Sequence, residues 1–320
     1  MKKMTMTLMS LMFLAFSDVT HALTLKIADN HSKDDSTVRA LEDFSKKISE
    51  RTQGKVKARV YANGVLGDEV QVLQQLQQGI IDIGRVSTSN LSQFKPQFSI
   101  ISMPYLFNDM EHFKRFANSS VGKEFLDSID DDGMIGITFY TNGFRSFYTK
   151  SKPIHTPADL DGLKIRVMGD TTAINMVNHL GAKATPMAYS EVFSAIQQGV
   201  LDGAESAITV LTNGSHGEVA KYFSFDEHSL IPDVVVISKK SYEKLNEDER
   251  NQVIQALKES WVLQDKLFVE DMEVAYKIAQ EKMKVNFNDV NKEPFRELVK
   301  PMYDSLPQND KDIVEKIKDL

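Results

Sequence analysis

The chain has 320 residues, no cysteine and a formal net charge of -7. The absence of cysteine excludes a disulfide framework, a thiolate nucleophile and a lipid-anchor cysteine. The acidic balance, without a basic stripe interleaved with aromatic residues, argues against a nucleic-acid partner. A chain of this length can form about two domains that are held by their apolar core alone.

The amino terminus has the three parts of a cleavable secretory signal. Residues 1–3 (Met-Lys-Lys) are basic, residues 8–16 are apolar with one serine, and residues 20–22 (Thr-His-Ala) offer small side chains to a signal peptidase. The apolar run is too short to span a bilayer. We therefore predict a signal peptide at residues 1–22 and a mature protein in the periplasm.

Strand and helix patterns alternate after the signal. Residues 23–28 and 56–61 have the apolar alternation of strands, and apolar residues at helical spacing occupy the segment between them. Asp68, with Gln71 three residues later, predicts a capped helix start. The repeated alternation predicts an α/β fold with a largely parallel sheet.

A near-repeat within the chain indicates two lobes of similar plan. Residues 76–82 (Leu-Gln-Gln-Gly-Ile-Ile-Asp) recur as residues 196–202 (Ile-Gln-Gln-Gly-Val-Leu-Asp), and a Glu-Val pair precedes each copy. In each copy the pattern predicts a helix that ends at a glycine and passes into a strand. Chance similarity between two amphipathic helices is the alternative interpretation.

Residues 163–167 have the pattern of a buried strand that contains one cation, Arg166. Asp170 is placed to cap a following helix. Ligands of α/β proteins gather where strand carboxyl ends and helix N-termini meet, and an arginine there can hold a carboxylate in a bidentate fork. An exposed surface ion pair is the competing interpretation of Arg166.

The longest helical pattern begins after Asn246 and extends to about Lys284, which is longer than one lobe is wide. It predicts a helix that crosses between two lobes joined by a hinge. The expected division is lobe I at residues 23–143 and 232–271, and lobe II at residues 144–231 and 272–320.

These features together resemble the DctP-type substrate-binding proteins of TRAP transporters, the tripartite ATP-independent periplasmic carriers of organic acids. The resemblance spans the mature chain and rests on residues 142–145, 163–167, 184–192, 199–205 and the long late helix. It implies a two-lobed periplasmic binding protein, without catalytic residues or cofactor, that delivers an organic acid to small and large membrane permease subunits. We expect a monomer.

The resemblance also implies roles for individual residues. Arg166 matches the arginine that forms the main salt bridge with the ligand carboxylate, and Arg145 matches a second cationic contact. Tyr189 matches an aromatic residue that lines the pocket, although its place on an apolar helical stripe also fits core packing. Glu205 and Ser206 match the place where ligand hydroxyls are held, and Glu205 could instead orient another side chain.

The expected ligand is a hexuronate such as glucuronate or galacturonate. Residues 218–229 are similar to the hexuronate-binding subgroup, and Arg85 also fits it, either as a ligand contact or as a residue that orients another. Asn142 begins the matched 142–145 stretch and is included in the expected site. The chain departs from the subgroup at residues 206–209 (Ser-Ala-Ile-Thr), where an Asn-Asn-Trp-Pro run is usual.

Other functions remain as alternatives. The ligand could be another organic acid (a C4-dicarboxylate, an aldonate or a keto acid), or the protein could be a ligand sensor of the same fold or an enzyme acting on sugar acids. Residues 128–133 resemble a calcium loop but lack the required glutamate at position 139. The histidines have no zinc-ligand spacing, and residues 214–217 do not form a nucleophile elbow. We expect no metal site.

Overall fold

The structure, a computed structural model, describes residues 22–320 apart from the side chain of Asp131. The predicted signal peptide lies, except for its last residue, outside the described residues. Within the described part, none of the helices has the length and apolar character needed to cross a membrane. The described chain forms two α/β lobes, each built around one mixed sheet.

The first part of the chain forms most of lobe I. Its elements are β1 (Leu23–Ala28), α1 (Ser36–Arg51), β2 (Val56–Tyr61), α2 (Glu69–Gln78), β3 (Ile83–Ser87), α3 (Thr88–Leu91), α4 (Met110–Ala117), α5 (Ser120–Asp127) and β4 (Met134–Tyr140). The middle part forms most of lobe II. Its elements are β5 (Phe144–Thr149), β6 (Lys164–Val167), α6 (Thr171–His179), β7 (Lys183–Pro186), α7 (Val192–Gln197), β8 (Gly203–Ser206), α8 (Val210–Asn213) and β9 (Tyr222–Leu230).

The last part of the chain contributes to both lobes. Its elements are β10 (Asp233–Ser238), α9 (Lys239–Glu243), α10 (Glu247–Glu281), β11 (Asn286–Asp289), α11 (Glu293–Asp304) and α12 (Gln308–Lys318). The sheet of lobe I has the strand order β2-β1-β3-β10-β4, and that of lobe II has the order β7-β6-β8-β5-β9-β11. In each sheet three parallel strands are followed by an antiparallel one, β10 beside β3 and β5 beside β8. The predicted similarity of the two lobes is confirmed.

The near-repeat occupies equivalent places in the two lobes. The glycine after each helix has a left-handed φ, of 73° in the first copy and 75° in the second. The carboxylate of Asp82 accepts a hydrogen bond from the Lys26 backbone N–H at 2.7 Å, and that of Asp202 accepts one from the Lys164 backbone N–H at 2.8 Å. Each aspartate therefore ties the chain that enters the third parallel strand to the first parallel strand of the same lobe.

The predicted helix starts are also confirmed. Asp68 accepts from the Gln71 N–H at 2.9 Å, and the Gln71 side chain accepts from the Asp68 N–H at 3.0 Å. Asn246 caps α10, and Asp170 caps α6 by accepting from the Ala173 N–H at 2.8 Å. These caps satisfy backbone donors that have no partner within a helix.

Helix α10 joins the two lobes. Its 35 residues extend over roughly 50 Å at the rise of an α-helix. Helix α1 and strand β4 of lobe I pack against it, and so does α8 of lobe II. The predicted lobe-spanning helix is confirmed, and it ends at Glu281, slightly before the expected position.

A buried glutamine on α10 holds the first crossover between the lobes. The Gln264 Oε1 accepts from the Thr141 backbone N–H at 2.8 Å, and its Nε2 donates to the Thr141 carbonyl at 2.8 Å. Trp261 adds a hydrogen bond from its Nε1 to the Thr141 hydroxyl at 3.2 Å. Thr141 lies between β4 and β5, so these bonds fix the chain where it leaves lobe I for lobe II.

The end of the chain differs in one respect from the expected division into lobes, which otherwise stays a prediction. Helix α11 packs on α6 of lobe II, but α12 returns to α5 of lobe I. The His112 ring lies 2.7 Å from the Ile317 carbonyl, and the Arg115 Nε donates to the Leu320 carbonyl at 2.6 Å. Lobe I therefore also includes the last helix.

We predict that replacing Gln264 by leucine lowers the free energy of unfolding by roughly 2–4 kcal/mol, because the buried N–H and C=O of Thr141 both lose their partner. Urea denaturation of the mature protein measures the change. Gln280→Leu is the matched control, since Gln280 is exposed on the same helix, and it should change the value by less than about 0.5 kcal/mol. Equal losses for the two variants would contradict the proposed anchoring of the crossover.

Candidate ligand-binding cleft

A cavity of about 330 Å³ lies between the two lobes. It is formed by the carboxyl ends of the parallel strands β1, β3, β6, β7 and β8, together with the amino ends of β5 and β10. This is the position at which open α/β sheets bind ligands. The predicted site residues that line it are Arg85, Asn142, Arg145, Arg166, Tyr189 and Ser206, whereas Glu205 lies directly behind its wall.

Arg166 is a buried cation that has no acidic partner within the part of the chain that the structure describes. It follows Ile165 in β6, and Gly169 and the helix cap at Asp170 turn the chain away immediately afterwards. Its side chain is 5% exposed, and its Nε donates to the Met187 carbonyl at 2.9 Å. Among the described residues no carboxylate lies within 4 Å of it, and its terminal nitrogens have no hydrogen-bond acceptor. Burial lowers the pKa of Arg166.

Arg145, by contrast, is paired within lobe II. Its Nε donates to a Glu205 carboxylate oxygen at 2.5 Å, and one terminal nitrogen donates to the other carboxylate oxygen at 3.0 Å and to the Glu205 carbonyl at 2.6 Å. The pair forms because β5 runs antiparallel beside β8. The second terminal nitrogen of Arg145 has no acceptor among the described residues and can serve a ligand.

A chain of alternating charges extends behind Arg145. The His228 ring lies 3.4 Å from the Glu205 carboxylate and 2.8 Å from that of Asp226. Burial alone would raise the pKa of Glu205, but Arg145 and His228 lower it to about 2. Burial likewise opposes the charged form of His228, but Asp226 and Glu205 raise its pKa to about 9. The protonated imidazole therefore donates to both carboxylates and holds Glu205 in place.

Arg85 is fully engaged by residues of lobe I. It lies 2.6 Å from a carboxylate oxygen of Asp29, 2.6 Å from one of Glu69 and 3.4 Å from one of Asp233. It also donates to the Asn30 side chain. Its five N–H donors thus face protein acceptors on all sides, so the geometry favours a positioning role for Arg85 over a ligand contact.

The remaining predicted residues lie around these arginines. The Asn142 amide nitrogen is 3.5 Å from an Asp233 carboxylate oxygen. Ser206 is half-buried at the end of β8. The Tyr189 ring has its centroid 5.7 Å from that of His31 and 5.6 Å from that of His216. Tyr189 is therefore placed at the junction of the two lobes rather than in the core of one.

Hydrogen bonds join the two lobes around the cavity. On one side the Ser89 hydroxyl of lobe I donates to the Asp170 carboxylate of lobe II. On another the Asn213 amide of lobe II donates to the Asp35 carboxylate of lobe I at 2.8 Å. These contacts describe a closed arrangement, in which the cavity is walled by both lobes.

Sequence reasoning missed several residues of the cleft. Asp68 had a signal only as a helix cap and Thr209 only as part of the divergent segment 206–209, whereas His31, Asp35 and Asn213 had none. Asp35 and Asn213 are separated by 178 residues, so no local pattern shows that they meet. Asp35 and Asn213 lie in the segments that follow β1 and β8. The carboxyl ends of the strands were therefore the only general signal for the position of these cleft residues.

The comparisons with known proteins agree with this geometry. A model of the family described as bacterial extracellular solute-binding protein, family 7, matches residues 27–310. The chain belongs to this family. A solute-binding protein of Chromohalobacter salexigens is 31% identical over 283 residues, which are 88% of this chain and 84% of that protein. The family identified from the sequence is therefore confirmed.

Two solved structures of family members are close in fold. A TRAP periplasmic solute-binding protein from Sulfitobacter sp. NAS-14.1, with bound β-D-galacturonate, has a TM-score of 0.90 and 32% identity, and the match covers 93% of this chain and 100% of that one. A protein of the same kind from Chromohalobacter salexigens, with bound D-glucuronate, has a TM-score of 0.89 and 30% identity, covering 92% and 99%. The predicted two-lobed periplasmic binding protein fold is confirmed.

We predict that the ligand-free protein loses stability as the pH rises from about 6.5 to about 9. A histidine whose pKa is raised on folding stabilises the fold fully below its unfolded-state pKa and less as the pH approaches the folded-state value. His228 and His31 both have a pKa raised to about 9. For His228 the maximal contribution is roughly 3 kcal/mol.

Urea denaturation at several pH values tests this expectation. His228→Gln should remove about half of the decrease in the free energy of unfolding, because His31 supplies a similar contribution. His179→Gln, at an exposed position, is the control and should leave the pH dependence unchanged. A decrease of the same size in wild type and His228→Gln would show that the charged imidazole does not stabilise the fold.

Proposed function

We propose that this protein is the periplasmic solute-binding component of a TRAP transporter and that it captures a hexuronate, such as glucuronate or galacturonate, for delivery to the membrane permease subunits. The observation that supports this most directly is Arg166, a buried guanidinium at the cleft that has no carboxylate partner among residues 22–320. The extracellular solute-binding family supports the periplasmic location and the permease partners.

The physical argument concerns the cost of burying a charge. An arginine removed from water without a counter-ion is unfavourable, and a ligand carboxylate can supply the missing charge in a bidentate pair. Closure of the lobes around a bound ligand removes water from this pair, which strengthens it. The free terminal nitrogen of Arg145 offers a second hydrogen bond to the same anion or to a neighbouring hydroxyl.

The remaining residues fit the polar part of a sugar acid. Asn142, Ser206 and Tyr189 line the cavity with groups that donate or accept hydrogen bonds from hydroxyls. Glu205 acts on the ligand through Arg145, whose guanidinium it orients. A hexuronate is favoured over other organic acids because two family members of nearly identical fold hold galacturonate and glucuronate.

A ligand screen tests this proposal. The mature protein, stripped of ligand by unfolding and refolding, is heated with hexuronates, aldonates, C4-dicarboxylates, sialic acid and neutral hexoses. A ligand that binds only the folded state raises the melting temperature. We expect glucuronate or galacturonate to give the largest shift and neutral hexoses to give none. A larger shift with another acid would overturn the hexuronate assignment, and equal shifts with neutral sugars would overturn the carboxylate clamp.

We predict opposite consequences for two arginine-to-methionine variants. Arg166→Met should weaken hexuronate binding by roughly 100-fold or more, since charge-assisted hydrogen bonds to the carboxylate are lost. It should change the stability of the ligand-free protein by no more than about 1 kcal/mol, because the cation it removes is unpaired. Arg145→Met should cost roughly 3–5 kcal/mol of stability, since it leaves Glu205 buried without its partner.

Calorimetric titration and urea denaturation of both variants measure these effects. Arg39→Met serves as a control for loss of an arginine outside the cavity, since the half-buried Arg39 pairs with Asp271 and does not line the cavity. It should leave affinity unchanged. Undiminished affinity in Arg166→Met would refute the central assignment.

A further inference from the structure

The two walls of the cleft have opposite electrostatic character. Lobe II contributes the cations Arg145 and Arg166, and no carboxylate from the described part of lobe II lines the cavity. Lobe I contributes two basic groups, Arg85 and His31, and a larger number of acidic ones. The lining carboxylates of lobe I are Asp35, Asp68, Glu69 and Asp233.

Most of these charges are neutralised within their own lobe. Arg145 is paired with Glu205, Arg85 with Glu69 and Asp233, and His31 lies 3.3 Å from Asp35. Two lining charges have no ion pair among the residues that the structure describes. They are Arg166 in the wall of lobe II and Asp68 in the wall of lobe I.

Asp68 is held in a defined position. One of its carboxylate oxygens accepts the Gln71 backbone N–H at 2.9 Å as the cap of α2, and the Gln71 side chain accepts the Asp68 backbone N–H in return. This capping box orients the carboxylate at the cavity. The second oxygen has no donor among the described residues, so it can accept a hydrogen bond from a ligand.

Two buried carboxyl groups near the opposite walls respond to this asymmetry. Burial raises the pKa of both, but Arg145 and His228 reverse the effect at Glu205 and lower its pKa to about 2. At Asp233 the attraction of Arg85 is opposed by Glu69, and the pKa is raised to about 6. Glu205 therefore has cationic neighbours on the side of lobe II, whereas a second carboxylate acts on Asp233 on the side of lobe I.

On the basis of the proposed function, we propose that the cleft selects acids with a single carboxylate: Arg166 binds that carboxylate, and Asp68 accepts a hydrogen bond from a hydroxyl elsewhere on the ligand. A second carboxylate at the wall of lobe I would face Asp68 without an unpaired cation to neutralise it. Such juxtaposition of like charges is a common means of rejecting a wrong partner. Sugar acids with a carboxylate at both ends are therefore excluded, although they match hexuronates in size.

The test compares two open-chain acids that differ at one end. D-Gluconate has a hydroxyl at C6, and D-glucarate has a carboxylate there. Both are titrated as competitors of D-glucuronate on the mature wild-type protein and on Asp68→Asn. Asparagine caps a helix as well as aspartate does, so the variant removes the charge and keeps α2 in place.

We expect gluconate to bind the wild type roughly ten-fold or more tightly than glucarate, and Asp68→Asn to reduce this ratio to about two- to three-fold. Asp109→Asn is the matched control. Asp109 is an exposed helix cap in lobe I, outside the cavity, and its substitution changes the net charge equally. It should keep the wild-type ratio.

Equal affinities for the two acids in the wild type, or an unchanged ratio in Asp68→Asn, would overturn the proposal. If neither open-chain acid competes, methyl glucuronoside and glucuronate 1-phosphate make the same comparison in the ring form, with the same expected and contrary results. Failure of glucuronate and every other acid to bind would instead overturn the proposed function. Binding of glucuronate together with unselective binding of the dianions would overturn only the present inference.

Discussion

The proposed binding site is built around Arg166, a guanidinium that is buried without a counter-ion among the described residues. Arg166 is held between the ends of β6 and β7 by the Met187 carbonyl, and its terminal nitrogens are left for something outside the chain. The other two arginines of the cavity are neutralised by the protein itself. Arg145 pairs with Glu205, and Arg85 pairs with three carboxylates. The missing partner of Arg166 is thus a property of the site and not of the fold.

The near-repeat explains how the two walls acquired opposite charge on the same frame. When the two copies are aligned on Asp82 and Asp202, Arg85 in β3 and Glu205 in β8 occupy the same place, three residues further on. Each of these buried charges is compensated by side chains of its own lobe. Lobe I surrounds its cation with carboxylates, and lobe II surrounds its anion with Arg145 and His228. An inverted charge at one strand position therefore gives one acidic wall and one basic wall.

Much of the fold could be predicted from the sequence because its signals are local. The helix caps at Asp68, Asp170 and Asn246, the glycine helix ends and the alternation of strands and helices all involve residues within a few positions of one another. Arg166 was found because strand ends before capped helices bind ligands and because the surrounding residues resemble a family. The pairing of Arg85 with three carboxylates and the packing of α12 on lobe I could not be predicted, because both depend on contacts between segments distant in the sequence.

The unpaired charges also give a reason why a ligand should favour the closed arrangement. A ligand shifts a conformational equilibrium only by its difference in affinity for the two states. When the lobes separate, Arg166 becomes hydrated and loses little by lacking a counter-ion, whereas in the closed cleft a carboxylate relieves the cost of its burial. The polar contacts between the lobes at the cleft, such as that of Asn213 with Asp35, each contribute modestly in water. In the proposed function, a ligand carboxylate on Arg166 therefore favours the closed state over the open one.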